Sequence, residues 1–123
     1  MGLIRDNAAA ILATIPPSVT VLAAAKSRDA SEVIEVIDAG ITDIGENYFQ
    51  ESRAMIEAIG KKATWHFIGH IQKNKVKHIV PLFDMIQTVD TYELAAMIDQ
   101  HAEKHGKSMP VLVEVNSGRE DNK

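Results

Sequence analysis

Residues 21–47 read VLAAAKSRDASEVIEVIDAGITDIGEN, and the fold class follows from how this stretch is divided. An apolar run passes through three alanines and stops abruptly at Lys26, with polar residues directly after it. Together with Val19 and Thr20, residues 19–26 read as a buried strand. Residues 29–40 read as a helix: Val33, Ile34 and Ile37 form an apolar stripe, Ser31 is the expected N-cap and Gly40 the C-terminal stop. Residues 41–47 return to a short strand. A strand, a helix and a second strand in so short a span imply a right-handed crossover between parallel strands.

The same alternation extends in both directions. Residues 3–14 have helical composition and are stopped by Pro16-Pro17. Downstream, 48–60 reads as a helix closed by glycine, 63–69 as the third strand and 72–83 as a short helix cut by Pro81. Residues 85–90 form the fourth strand, 91–106 a helix capped by Asp90 and closed by Gly106, and 110–116 the fifth strand. The polar stretch SGREDNK follows. The pattern is one helix, four β-α units and a last strand, with no linker and no low-complexity segment. An open doubly wound sheet fits it, and so does part of a (β/α)₈ barrel. A complete barrel takes about 250 residues, so 123 residues would supply a little over half of one. Periodicity leaves both folds open.

Composition narrows the function. With 46% hydrophobic and 24% charged residues the chain has the balance of an ordinary globular protein. Its formal net charge of -4 argues against nucleic acid or an anionic membrane as the main partner, since both want a basic face. Without cysteine there is neither a disulfide framework nor a thiolate metal site. His101 and His105 are spaced i, i+4, but cations near a helix C-terminus are common, so no metal is expected. No apolar stretch is long enough to span a bilayer, and the N-terminus lacks the order of a signal peptide. A cytoplasmic location is the default.

Both candidate folds place chemistry at the C-terminal ends of their strands. Those ends carry Lys26, Gly45-Glu46-Asn47, His66 to Gly69, Thr88 to Asp90, and Asn116. A lysine at the end of a buried strand can hold its amine in a partly desolvated cavity, where the neutral form attacks a carbonyl. It is a natural Schiff-base partner for an aldehyde cofactor, pyridoxal phosphate above all. Alanines at 23–25 would leave room for a flat ring. The plainer reading is a lysine marking the exit of the strand to solvent. Likewise Asn47 alone reads as a turn or cap residue, His66 as a satisfied semi-buried histidine, and residues 72–78, QKNKVKH, as a solvated basic helix face.

Taken together, AAAKSR, GENYFQE, WHFIGHIQKNK and VEVNSGREDNK occur in order from about Asp6 to Lys123. The chain thereby resembles the pyridoxal phosphate homeostasis protein family, whose fold is similar to the N-terminal barrel of alanine racemase. The resemblance implies the N-terminal portion of a (β/α)₈ TIM-type barrel, about five parallel strands preceded by an N-terminal helix, with residues 1–123 as one partial domain. It implies pyridoxal 5′-phosphate held as a Schiff base on Lys26, with Asn47 beside the cofactor ring or its 3-hydroxyl. His66, Gly69, Gln72, Asn74 and Lys75 would lie at the barrel mouth, and Asn116 in the last motif. It implies a carrier and regulator of the cofactor pool, with no catalytic residue. Ala24 and Ala25 depart from the larger residue and the hydroxyl residue usual before the lysine. The late strands and loops that hold the phosphate in this family are absent, so a weakened phosphate grip is expected. Five strands would leave open edges and strips of Val, Leu and Ile on one sheet face, which favours self-association or a complementing C-terminal half. An amino-acid racemase-like enzyme and a non-binding half-barrel scaffold are the alternatives.

Overall fold

Five short apolar runs cannot leave their amide groups unpaired in a core, and here each run pairs with its neighbours in sequence. The computed structural model describes residues 2–115. Its elements are α1 (Leu3–Ala13), β1 (Leu22–Ala24), α2 (Ala30–Asp38), β2 (Asp43–Glu46), α3 (Phe49–Ile59), β3 (Thr64–Phe67), α4 (Val76–Leu82), β4 (Met85–Val89), α5 (Tyr92–Lys104) and β5 (Val111–Val113). Single 3₁₀ turns at Gly60–Lys62 and Lys73–Lys75 precede β3 and α4.

All four strand pairs are parallel, and the order is β1-β2-β3-β4-β5. That order decides between the two folds the periodicity allows. A doubly wound sheet reverses its strand order at a switch point, whereas a barrel adds each strand on the same side. There is no reversal here, and consecutive helices pack against each other from α1 to α5. The arrangement is five strands of a (β/α) barrel wall.

The core lies between sheet and helices. Ile44, Trp65, Phe67 and Ile86 point from the strands toward Val33, Val76, Ile79, Val80, Phe83, Leu94 and Ile98, all nearly or fully buried. Each such side chain contributes about 1.5–3 kcal/mol when removed from water. Phe67 and Phe83 meet edge to face with centroids 5.2 Å apart. Trp65 is pinned twice. Its Nε1 donates to the Gly60 carbonyl at 2.9 Å, and its backbone N–H donates to Asp84 Oδ2 at 2.8 Å. Lys107, half-buried after α5, donates from Nζ to the carbonyls of Val80 and Phe83, both at 2.9 Å, and so closes the end of α4.

Three local expectations are corrected. Asp29, not Ser31, caps α2. Its Oδ1 accepts from the Glu32 amide at 2.9 Å, while its own N–H donates to Glu32 Oε1 at 3.1 Å, a reciprocal capping box. Ser31 instead donates its hydroxyl to Asp29 Oδ1 at 2.7 Å. That hydroxyl first, then the Glu32 amide, holds the Asp29 carboxyl below its ordinary pKa. At α5 the cap is Thr91, whose Oγ1 accepts from Leu94 N–H at 3.1 Å, and not Asp90. Pro81 does not cut its helix, because α4 runs through it to Leu82.

The sheet face away from the helices carries polar as well as aliphatic groups. It presents Ala24, Asp43, Gly45, His66 and Gln87 among a few aliphatic groups. The exposed apolar residues include those of β5 at the sheet edge, where Leu112 and Val113 are 50% and 69% exposed.

Truncating Thr91 to Ala is expected to cost about 1 kcal/mol of stability. Asp90→Ala is expected to stay within about 0.5 kcal/mol of the parent. Urea unfolding of both variants checks the assignment.

Candidate functional site

The site begins where β1 runs out. Residues 22–24 pair with 43–45, and Ala25 N–H continues the ladder to the Gly45 carbonyl at 2.9 Å. Ala23 and Ala25 pack toward the helices, while Ala24 is exposed on the other face. Alternation carries Lys26 to the Ala24 side. Lys26 is exposed and forms no ion pair among the described residues. Ser27 then takes φ 63°, a left-handed conformation that costs a non-glycine residue about 1 kcal/mol or more. The turn delivers the chain into the capping box of α2, where Arg28 is tied to Glu32 at 2.9 Å. A single strained residue therefore separates Lys26 from a firmly capped helix.

On the same sheet face, His66 lies 7% exposed between two strands' polar groups. Its Nε2 is 2.8 Å from Asp43 Oδ1, and its Nδ1 is 3.0 Å from Gln87 Nε2. With the Gln87 amide as donor, Nδ1 accepts and Nε2–H donates to Asp43. Both ring nitrogens are therefore occupied within the sheet. Asp43 and Gln87 carry no signal in the sequence, because only the strand register brings them to His66.

The two glycines at the strand ends have packing reasons. A Cβ on Gly45 would lie 2.8 Å from methyls of Leu22 and Ile68, which close over it. A Cβ on Gly69 would lie 2.1 Å from the Asn47 carbonyl oxygen, so the chain after β3 approaches β2 as only glycine permits. Thr88 Oγ1 donates to the Gly69 carbonyl at 2.7 Å, which ties in β4. Asn47, Gly69 and Thr88 thus join three strand ends into one rim, and Thr88 is the member that sequence reading passed over as a contact.

Beyond this rim, on the helix side, is a cleft of about 620 Å³. Asn47, Gly69, Gln72 and Lys75 line it, with Phe49 and Phe67 as its aromatic wall. Lys26 and His66 do not. Asn74 is exposed and lies outside the cleft, and Asn116 lies outside the described residues. In the basic run Lys73 pairs with Glu93, and His78 stacks on Phe49 at 5.5 Å.

Glu46, next to Asn47, is 3% exposed, and its Oε1 has no hydrogen-bond partner. Burial, reinforced by the nearby Glu51 carboxylate, raises its pKa from 4.5 to about 7. Among the described residues no cluster of His, Asp and Glu is placed to hold a metal ion, and no helix is long and apolar enough to cross a membrane.

A parallel β/α wall with polar groups and an exposed lysine at its C-terminal strand ends is part of a (β/α) barrel. Residues 1–120 match the family model described as alanine racemase, N-terminal domain, and the chain belongs to that family. It is 39% identical over 104 residues to the pyridoxal phosphate homeostasis protein of Buchnera aphidicola subsp. Acyrthosiphon pisum, covering 83% of this chain and 52% of the relative. The protein of the same name from Escherichia coli K12 is 33% identical over 112 residues, covering 88% and 48%. The structure of PipY from Synechococcus elongatus PCC7942 with pyridoxal phosphate bound superposes with TM-score 0.88 at 33% identity, covering 93% of this chain and 55% of that one. The same protein without the cofactor gives 0.91 over 98% and 57%. The chain spans about half the length of the curated relatives it matches.

Two outcomes are expected at the rim. Gly69→Ala forces a methyl group into the Asn47 carbonyl and lowers stability by about 3 kcal/mol, the upper range for overpacking. Glu46 acts through pH. Between pH 4.5 and 7 the unfolded chain releases a proton that the folded chain keeps, so stability falls as pH rises through that window. Glu46→Gln should flatten that slope in urea midpoints measured from pH 4 to pH 8.

Proposed function

We propose that the chain is a pyridoxal 5′-phosphate-binding module of intracellular cofactor homeostasis, in which Lys26 holds the cofactor as a Schiff base. The observation that carries this reading is the position of Lys26 at the C-terminal rim of β1. It is exposed, it is unpaired among the described residues, and Ala24 leaves the sheet face beside it bare. The likeness to PipY, solved with pyridoxal phosphate bound, supports the same reading.

The residues present fit the aldehyde end of the cofactor better than its phosphate end. The Lys26 amine is accessible. On the same face Asp43, His66 and Gln87 bond to each other, while Arg28 pairs with Glu32. When bound, the cofactor supplies an electrophilic aldehyde and an electron-withdrawing ring. This chain's own residues bind and orient. Lys26 provides the amine, the Asn47–Gly69–Thr88 rim fixes the mouth, and the His66 network holds the sheet face in one arrangement.

Residues 1–123 act in this reading as one partial domain. Its partner is the small-molecule cofactor, with a second copy or a complementing C-terminal half covering the open wall. Neither nucleic acid nor membrane is a partner of this acidic chain, and its place is the cytoplasm. The relatives are named for homeostasis, which supports a carrier over a catalyst.

Incubation with pyridoxal phosphate followed by borohydride reduction is expected to add one phosphopyridoxyl group. Peptide mass mapping should place it on Lys26, and Lys26→Ala should abolish it. Label spread over surface lysines, or undiminished in Lys26→Ala, overturns the reading.

A further inference from the structure

Four of the described residues have positive φ, and three of them are glycines: Gly40, Gly60 and Gly106. These follow α2, α3 and α5, on the side of the wall where the strands begin. Glycine takes the left-handed conformation there without strain, as a residue serving only the turn should. The fourth is Ser27, at 63°, on the opposite side and directly after Lys26. In a (β/α) barrel the first of these faces serves stability and the second carries the site. Among the described residues, the one positive-φ turn built without glycine is thus the turn that holds Lys26.

That turn is fixed at both ends. Ala25 N–H donates to the Gly45 carbonyl at 2.9 Å, and Arg28 N–H donates back to the Ala25 carbonyl at 3.1 Å. Lys26 and Ser27 are the two residues between. Negative φ at the first and positive φ at the second is the pattern of a type II turn, which ordinarily takes glycine or asparagine in the second place. Beyond it, Arg28 pairs with Glu32 and the Asp29–Glu32 capping box fixes the start of α2. The side-chain bonds of this loop run among Arg28, Asp29, Ser31 and Glu32, and the Ser27 hydroxyl takes no part in them. The Lys26 side chain has no ion pair among the described residues. The backbone of the turn is therefore what sets where the amine starts from. A residue held in so sparsely populated a conformation persists only where its surroundings over-determine it, and such residues cluster at functional sites.

We propose that Ser27 is a positioning residue for Lys26. The left-handed turn fixes the course of the backbone after the lysine and so presents its amine at the rim. This rests on the Schiff-base reading of Lys26. The backbone conformation of Ser27 does the positioning, and its hydroxyl does not. Holding the root of the lysine in one place reduces the arrangements its amine must give up on meeting a ring aldehyde.

The test is a series of variants at position 27 of the full chain, with two measurements on each. The first is the affinity of Lys26 for pyridoxal phosphate, from the phosphopyridoxyl label that borohydride fixes on Lys26, mapped by peptide mass against cofactor concentration. In that reaction the amine adds to the aldehyde carbon with loss of water, and borohydride reduces the resulting C=N bond. The second is the rate at which formaldehyde and cyanoborohydride methylate Lys26, which asks only that the amine be exposed. Ser27→Gly, Ser27→Asn and Ser27→Ala should hold the affinity within about 3-fold, since glycine and asparagine enter this region readily and alanine is no more crowded at Cβ than serine. Ser27→Thr and Ser27→Val are β-branched and unsuited to positive φ, and should weaken it about 10-fold or more. Methylation should stay the same throughout. Ser27→Thr keeps the hydroxyl and Ser27→Ala removes it, so that pair separates backbone from side chain even if Ser27→Val fails to fold. Affinity that follows the hydroxyl, affinity equal across the series, or methylation that falls in step with affinity overturns the proposal while leaving Lys26 labelled in the parent. A parent without label on Lys26 overturns the Schiff-base reading, and the proposal with it.

Discussion

The carbonyl oxygen of Asn47 fills the space where any side chain at position 69 would stand. Much of the C-terminal face depends on that contact. It lets the chain leaving β3 fold back across the end of β2, and Ile68 N–H extends the ladder to the Glu46 carbonyl at 2.8 Å. Thr88 then reaches the carbonyl of Gly69, so that β4 is set against the same point. With three strand ends fixed to one another, the Lys26 face and the cleft behind the rim become two separate surfaces.

Charge is handled differently on the two sides of the sheet. Away from the helices, Asp43, His66 and Gln87 satisfy each other across three strands, so polar groups are carried there without loss. Toward the helices, Glu46 is buried among apolar neighbours without a partner for Oε1, and it escapes the cost by keeping its proton to a higher pH. Two acidic side chains three residues apart in one strand thus reach opposite solutions, one by pairing and one by neutralisation.

Much of this was legible from residue order. Strand and helix alternate because apolar periodicity is local, and Lys26 stands at a strand end by simple reading of 19–26. Caps were misread by one or two residues where capping types cluster. Asp29 outcompetes Ser31 because Glu32 lies three residues on and completes the box, and Thr91 displaces Asp90 because the helix starts one residue later. Periodicity did not separate barrel from open sheet, since strand order is a property of pairing; the family motifs pointed to the barrel, and the strand order agrees with them. The partners of His66 were hidden for the same reason. Asp43 and Gln87 lie 23 and 21 residues away, and only the register joins them. Gln72 and Lys75 were read as one group with Lys26; they stand on the connection after β3 and line a cleft that Lys26 does not.

Lys107 adds a constraint of timing. The carbonyls of Val80 and Phe83 that it closes precede it by 27 and 24 residues, with the whole of α5 between. On a ribosome, the last turn of α4 therefore emerges well before the amine that seals it. Until residue 107 has cleared the exit tunnel, those oxygens are left to water, and α4 is held only by its apolar face. Sealing of α4 thus waits on the chain that follows α5, and one side chain ties the ends of the two helices together.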